Sequence, residues 1–350
     1  MLFLLETIQR ESSISFPFLG SWSVNPPAFF SLFGRSIYLY GVMIALGFML
    51  AILYCGHRAP EFGISADSFY DLVIWLIPLS ILGARLYFVI FQADYYFAHP
   101  GEILAVWEGG LAIYGGIIAG LLIMFLFCRR RNIPFLLLCD IIVPGLALAQ
   151  SIGRWGNWFN MEAYGLPVNS SFPCFFPLAV QIPAEGYAWH LATFFYESIW
   201  DFSIFVFLLL TRHTLLQRKK GDIFFFYLFL YASGRLIIEE LRMDSLYASS
   251  VRISQLFSAL LCTFILFHYR LSSANNVRRH PFLSFVLFPL SVVSSIVIIF
   301  YSLFGHSLFS LSAKHAVLLL SACSILMIIG LCSVYFPRRG QEVKNADYCV

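Results

Sequence analysis

The chain has 350 residues, of which 60% are hydrophobic and only 12% charged, and its mean hydropathy is +0.80. Soluble domains carry about 25% charged residues, so the composition excludes an ordinary soluble protein and indicates an all-α polytopic membrane protein. The formal net charge of +3 says little, because the location of the charges matters more than their sum.

MLFLLETIQRESS opens the chain. It lacks a basic start, and its apolar run is cut short by Glu6, so it does not read as a cleaved leader. Residues 1–35 are expected to form an external N-terminal segment. Apolar runs of about 18 residues or more predict membrane-spanning helices. Nine are predicted, at 36–55, 68–91, 111–128, 135–152, 191–211, 222–241, 253–269, 282–304 and 315–336. The long connection at 153–190 carries Pro167, Pro173, Pro177 and Pro183 and reads as an ordered loop rather than a linker. The eight cysteines contain no Cys-x-x-Cys pair and read as small buried hydrophobes, not a metal or disulfide set.

Cytoplasmic loops are enriched in Lys and Arg. The loops at 56–67, 129–134, 212–221 and 270–281, together with the tail, hold fourteen basic residues, and the opposite loops hold four. This places the N-terminus outside and the C-terminal tail inside. Arg154, Arg242 and Arg252 then lie on the outer side, against the charge rule. Arg85 and Arg235 fall inside predicted spans, where a charge at the bilayer centre costs at least roughly 2.5–3.5 kcal/mol. Arginines gathered on the outer side of a membrane protein suggest an anion, and a lipid phosphate is the commonest one there.

Four stretches concentrate the polar chemistry. GRWGNWFNMEAYG at 153–165 sets Arg154, Asn157, Asn160 and Glu162 among aromatic rings suited to the membrane–water interface. A guanidinium holds phosphate with two parallel bonds that lysine cannot copy, and the asparagines and Glu162 suit holding that arginine or a glycerol hydroxyl. The plainer reading is a helix end with one paired arginine. YASGRLIIEELR at 231–242 places Arg235 and Glu239 four apart, able to pair along a helix. That is either an internal salt bridge or an arginine aimed at phosphate, and the two are compatible. EGGLAIYGGIIAG at 108–120 has Gly116 and Gly120 spaced for close helix packing, with Tyr114 near the outer surface. WHLATFFYES at 189–198 puts His190 at the outer end of a span that also holds Tyr196 and Glu197. A lone histidine is usually structural, and this one draws interest only by sharing a side with the arginines. Asp140 lies within a span and is expected to find an internal partner.

The stretch at 153–165 closely resembles the signature of the bacterial prolipoprotein diacylglyceryl transferase family, Gly-Arg-x-Gly-Asn-x-x-Asn-x-Glu-x-x-Gly, at all seven specified positions. YGVMIALGF at 40–48, GARLYFV at 83–89, EGGLAIYGG at 108–116, HLATFFYE at 190–197 and GRLIIEELR at 234–242 follow in the family's order. The resemblance covers about residues 36–270 and implies a membrane-embedded transferase core there, with 271–350 an added two-span extension and basic tail. It implies an enzyme of the bacterial cytoplasmic membrane whose active site faces the outer leaflet. Its partners would be phosphatidylglycerol, the lipobox cysteine of a prolipoprotein and the bilayer. No metal, cofactor or nucleic acid is expected. The products would be a thioether-linked lipid and glycerol phosphate.

On that resemblance Arg154 and Arg235 clamp the phosphate. Tyr40, Asn157, Asn160, Glu162, Gly165 and Glu239 bind or orient the substrate and the arginines. Many members have histidine at the position of Tyr114, proposed there as the base; a tyrosine with an unperturbed pKa near 10 leaves the base open among Tyr114, His190 and the lipid phosphate itself. Leu191 also stands where the family often has proline. A transporter, an intramembrane protease and a purely structural subunit are the competing classes. No pair of interrupted half-helices points to the first, and no Gly-x-Ser-Gly or Gly-x-Ser-x-Gly motif points to the second.

Overall fold

The computed structural model describes residues 14–16, 22–24, 27–32, 34–169, 172–182, 188–212, 216, 219–244, 247–248, 251–272, 281–308 and 312–335. Ten α-helices run through them: α1 Leu39–Arg58, α2 Ala66–Phe91, the short α3 Ala93–Ala98, α4 Ile113–Arg131, α5 Phe135–Asn160, α6 Thr193–Thr211, α7 Asp222–Leu241, α8 Ile253–Ser272, α9 Pro281–Leu308 and α10 Ala313–Tyr335. Among the described residues nine helices are long, and eight of these are apolar and long enough to cross a membrane. The ninth, α7, is set apart by charge rather than length, since it carries Asp222, Arg235, Glu239 and Glu240. The protein is an all-α polytopic membrane protein.

Local chemistry sets several helix ends. Ser65 caps α2 by accepting from the Ser68 amide at 3.2 Å. α4 ends on Asn132 in the left-handed conformation, with Arg129, Arg130 and Arg131 in its last turn. Asp140 of α5 accepts from the amides of Gly221, at 2.6 Å, and Phe224, at 2.8 Å. It therefore caps the start of α7, which satisfies a charge that would be costly alone.

α5 is the central element. It packs against α1, α6 and α7, while α2 pairs with α4 and α9 with α10. One apolar core joins α5 through α10 and a second joins α1, α2, α4 and α5. Short antiparallel hairpins complete the fold, notably Phe29–Leu32 with Arg35–Tyr38 and Ala179–Ile182 with Ala188–Leu191.

The largest departure from the sequence expectation is at α5. Its helix does not stop near 152 but continues to Asn160, so most of the Gly-Arg signature is helical. Gly156 is not a turn residue. A Cβ there would lie 2.9 Å from Cδ2 of Tyr40, so its absence lets α1 approach closely. The turn comes later, where Met161 and Ala163 take positive φ. The loop at 153–190 thus becomes two helical turns followed by a hairpin; Pro183 and Cys349 lie outside the described residues.

Candidate functional site

α5, α6 and α7 alternate in direction. Arg154 near the end of α5, Glu197 near the start of α6 and Arg235 near the end of α7 therefore reach the same level of the bundle. There they meet. Arg154 Nε lies 2.7 Å from Glu197 Oε2. Arg235 pairs with both Glu197 and Glu239. Arg242, just past α7, contacts Glu197 Oε1 at 3.2 Å and clasps Asp244 with two bonds of 2.9 and 2.7 Å. Burial works against the Arg242 charge, but the Asp244 and Glu197 carboxylates outweigh it and hold the guanidinium above its ordinary pKa.

One carboxylate thus organises three guanidinium groups. Glu197 is 3% exposed at its side chain, and Arg154 retains 22%. A cavity opens beside them, lined by Arg154, Glu197, Trp200, Asp201, Tyr231, Arg235 and Ile238. Trp200 holds its wall by donating to the Leu230 carbonyl at 3.0 Å. It presses so close to α7 that a Cβ on Gly234 would meet its Nε1 at 2.1 Å. Asp201, one helical turn beyond Glu197, lines the same cavity. Its Oδ2 is buried without a hydrogen-bond partner among the described residues. Fixed guanidinium groups beside a small cavity are an arrangement that can stabilise an anion without reorganising.

The rest of the signature frames this cluster. Asn157 Nδ2 donates to Glu162 Oε1 at 2.9 Å. Tyr40 sits against Gly156 and within electrostatic reach of Arg154 and Glu162. Asn157 and Glu162 rim a second pocket with Trp158, Met161, Tyr164, Val180, Ile182 and Phe194. Asn160 closes α5 at intermediate exposure. Gly165 is required by space: a Cβ would lie 2.7 Å from both the Leu241 carbonyl oxygen and Thr193 Cγ2. Its amide donates to Leu191 at 2.8 Å, and its backbone bridges Arg242.

Sequence expectation and geometry diverge at several positions. Arg154 is held by Glu197, whereas Asn157 and Glu162 hold each other. His190 is 2% exposed in the hairpin, with Nδ1 at 2.9 Å from the Gly165 carbonyl and Nε2 without a partner among the described residues. It fixes the loop at Gly165 and lines neither pocket. Tyr114, in the first turn of α4, is 57% exposed and also lines neither pocket. Sequence reasoning gave no site role to Glu197 and Asp201. Their signal was present as two acids four residues apart in an otherwise apolar span, which marks one helix face and a functional candidate.

Fold and site together define a polytopic helical membrane protein with a buried arginine–carboxylate cluster at one end of its bundle. The chain matches the prolipoprotein diacylglyceryl transferase family over residues 27–270. It is 43% identical over 230 residues to a phosphatidylglycerol–prolipoprotein diacylglyceryl transferase of Limosilactobacillus reuteri, covering 64% of this chain and 82% of that protein. A protein of the same name from Streptococcus agalactiae is 43% identical over 240 residues, covering 68% and 92%. One from Pediococcus pentosaceus is 41% identical over 245 residues, covering 68% and 87%. The chain belongs to the prolipoprotein diacylglyceryl transferase family and is a transferase of lipoprotein maturation.

Proposed function

We propose that the chain transfers the diacylglyceryl group of phosphatidylglycerol to the lipobox cysteine of a prolipoprotein, at the outer leaflet of a bacterial cytoplasmic membrane. The observation that carries this reading is the convergence of Arg154, Arg235 and Arg242 on Glu197 beside a cavity. The cysteine sulfur attacks the terminal glycerol carbon next to the phosphate. A carbon–sulfur bond forms as the carbon–oxygen bond breaks, and the electron pair leaves on glycerol phosphate. The leaving phosphate gains charge, and Arg154 and Arg235 stabilise it as it does so.

Glu197 and Glu239 keep those guanidinium groups oriented before substrate arrives. Tyr40, Asn157, Asn160 and Glu162 meet the glycerol head group, while His190 and Gly165 hold the loop that frames it. A free thiol with a pKa of about 8.5 needs help to ionise. Asp201 is the acceptor the geometry supports best, because it lines the arginine cavity and its Oδ2 has no hydrogen-bond partner among the described residues. Tyr114 and His190 line no part of that cavity. The fourteen-to-four distribution of basic residues between the two sets of loops supports the outward-facing site.

The direct test supplies the purified protein with labelled phosphatidylglycerol and a cysteine-containing lipobox peptide. Wild type releases glycerol phosphate and lipidates the peptide. Arg154→Ala lowers the rate by roughly 10²–10³-fold, the loss typical of one transition-state donor, and a Cys→Ala peptide abolishes transfer. Release that ignores the peptide thiol would refute the reaction as written.

A further inference from the structure

The family match ends at residue 270, yet the helices beyond it bond to α7, which carries part of the site. The last turn of α7 carries Glu239, which pairs with Arg235, and leads directly into Arg242, which pairs with Glu197. A helix end leaves several carbonyls unpaired, and inside a bilayer each such group is costly. Here α8 and the strand before it close that end. Arg252 Nη1 donates to the Glu239 carbonyl at 2.9 Å and to Glu240 Oε2 at 2.6 Å. Gln255 Nε2 donates to the Leu236 carbonyl at 3.1 Å and to Glu240 Oε2 at 3.4 Å. α9 then completes the network. Tyr301 donates its hydroxyl to Glu240 Oε1 at 3.2 Å, and the Ser302 hydroxyl, 2.8 Å from the Ile298 carbonyl of its own helix, shares its proton with Gln255 Oε1 at 3.2 Å. All five of these side chains are buried.

We propose that Tyr301 and Ser302, in a helix outside the family match, are positioning residues for the transfer site. They lock Glu240 and Gln255, and through them the turn of α7 on which Glu239 and Arg242 stand. The inference rests on the reading of the site given above. Glu239 and Glu240 are neighbours whose side chains leave the helix about 100° apart. One engages Arg235 in the site; the other is held by α8 and α9. A shift of this turn displaces Glu239 and Arg242 together, and misplacement of about 1 Å in a reacting constellation can cost roughly 10²-fold in rate.

The same extension provides its own control. Tyr335 of α10 donates to Asp222 Oδ2 at 2.8 Å, at the first residue of α7. It anchors the same helix about 20 Å from Arg235 and touches nothing in the site.

The experiment measures kcat, the KM for phosphatidylglycerol and the thermal midpoint of the full-length protein, using a cysteine peptide as acceptor. Wild type, Tyr301→Phe, Ser302→Ala and Tyr335→Phe are compared. Tyr301→Phe is expected to lower kcat by roughly 3- to 30-fold, the range for a residue acting through a packed network, while KM moves less than about twofold. Ser302→Ala moves kcat in the same direction by less, and reports on the same network if Tyr301→Phe does not fold. Tyr335→Phe lowers the thermal midpoint and keeps kcat. Wild-type kcat in both α9 variants overturns the inference, as does an equal loss in Tyr301→Phe and Tyr335→Phe that follows the thermal midpoint. An inactive, folded wild type overturns the site reading and this inference with it; an active wild type beside equally active α9 variants overturns this inference alone.

Discussion

Two arginine regions near the same end of the bundle use the same residue in opposite ways. Arg85 of α2 is 2% exposed and is held by main-chain oxygens. It donates to the carbonyls of Glu102, Ile103, Gly109 and Gly110, at 2.6, 2.9, 2.6 and 3.2 Å. Its guanidinium also lies over the Phe88 and Tyr96 rings. It is a brace that folds the 102–110 loop into place ahead of α4. Arg154, Arg235 and Arg242 instead share Glu197, and the first two border a cavity. The Arg85 guanidinium is held by main-chain carbonyls, whereas Arg154 and Arg235 are held by carboxylates at the edge of a cavity. Burial of an arginine in a span therefore does not by itself mark a site; its partners and the cavity beside it separate the two cases.

The sharpest way to break this contrast is Glu197→Gln. Removing one partner of a buried ion pair typically costs about 3–5 kcal/mol, so the variant should unfold at markedly lower temperature in detergent and lose transfer activity. A variant of wild-type stability would show that the arginines are not organised by Glu197. Asp201→Asn comes next. Loss of a general base typically costs about 10²-fold or more. A base works only when ionised, so wild-type kcat should fall toward acid pH; the variant should be slow and lack that acidic limb. An unchanged pH–rate profile would remove Asp201 from the mechanism.

Arg85→Met tests the brace. Leaving buried carbonyls unpaired costs about 1–3 kcal/mol, so thermal stability falls while kcat per folded molecule stays within a few-fold of wild type. A large kcat loss at full stability would make Arg85 part of the chemistry. The smallest effect is expected for Tyr114→Phe, with kcat changed by less than about twofold, because the ring is exposed at the α2–α4 pair and lines neither pocket. A loss approaching the 10²-fold of a general base would return Tyr114 to that role.

Much of this was legible in the chain itself. Long apolar runs have few alternatives in a bilayer, because backbone groups must pair within the segment, and the predicted span at 315–336 falls on α10. The Arg235–Glu239 pair also followed from spacing alone. The end of α5 did not. The proline-bearing connection at 153–190 read as a loop from its start, but the helix runs on to Asn160, with Gly156 in close contact with Tyr40. The hairpins escaped as well, since two- to four-residue strands carry almost no periodic signal.

The sequence by itself determined a polytopic helical membrane protein, its family signature and the Arg235–Glu239 pairing, because hydropathy, charge and fixed local spacing are properties of contiguous residues. Only the tertiary structure decided which partner each charge takes. It seated Arg154 on Glu197, forty-three positions away, set Asp201 in the same cavity, kept Tyr114 and His190 out of it, and tied α9 to the far side of α7. The physical reason is that a charge in a low-dielectric bundle must be neutralised by whatever group the packing of antiparallel helices brings beside it, and that neighbour is set by helix crossing and direction rather than by any local pattern.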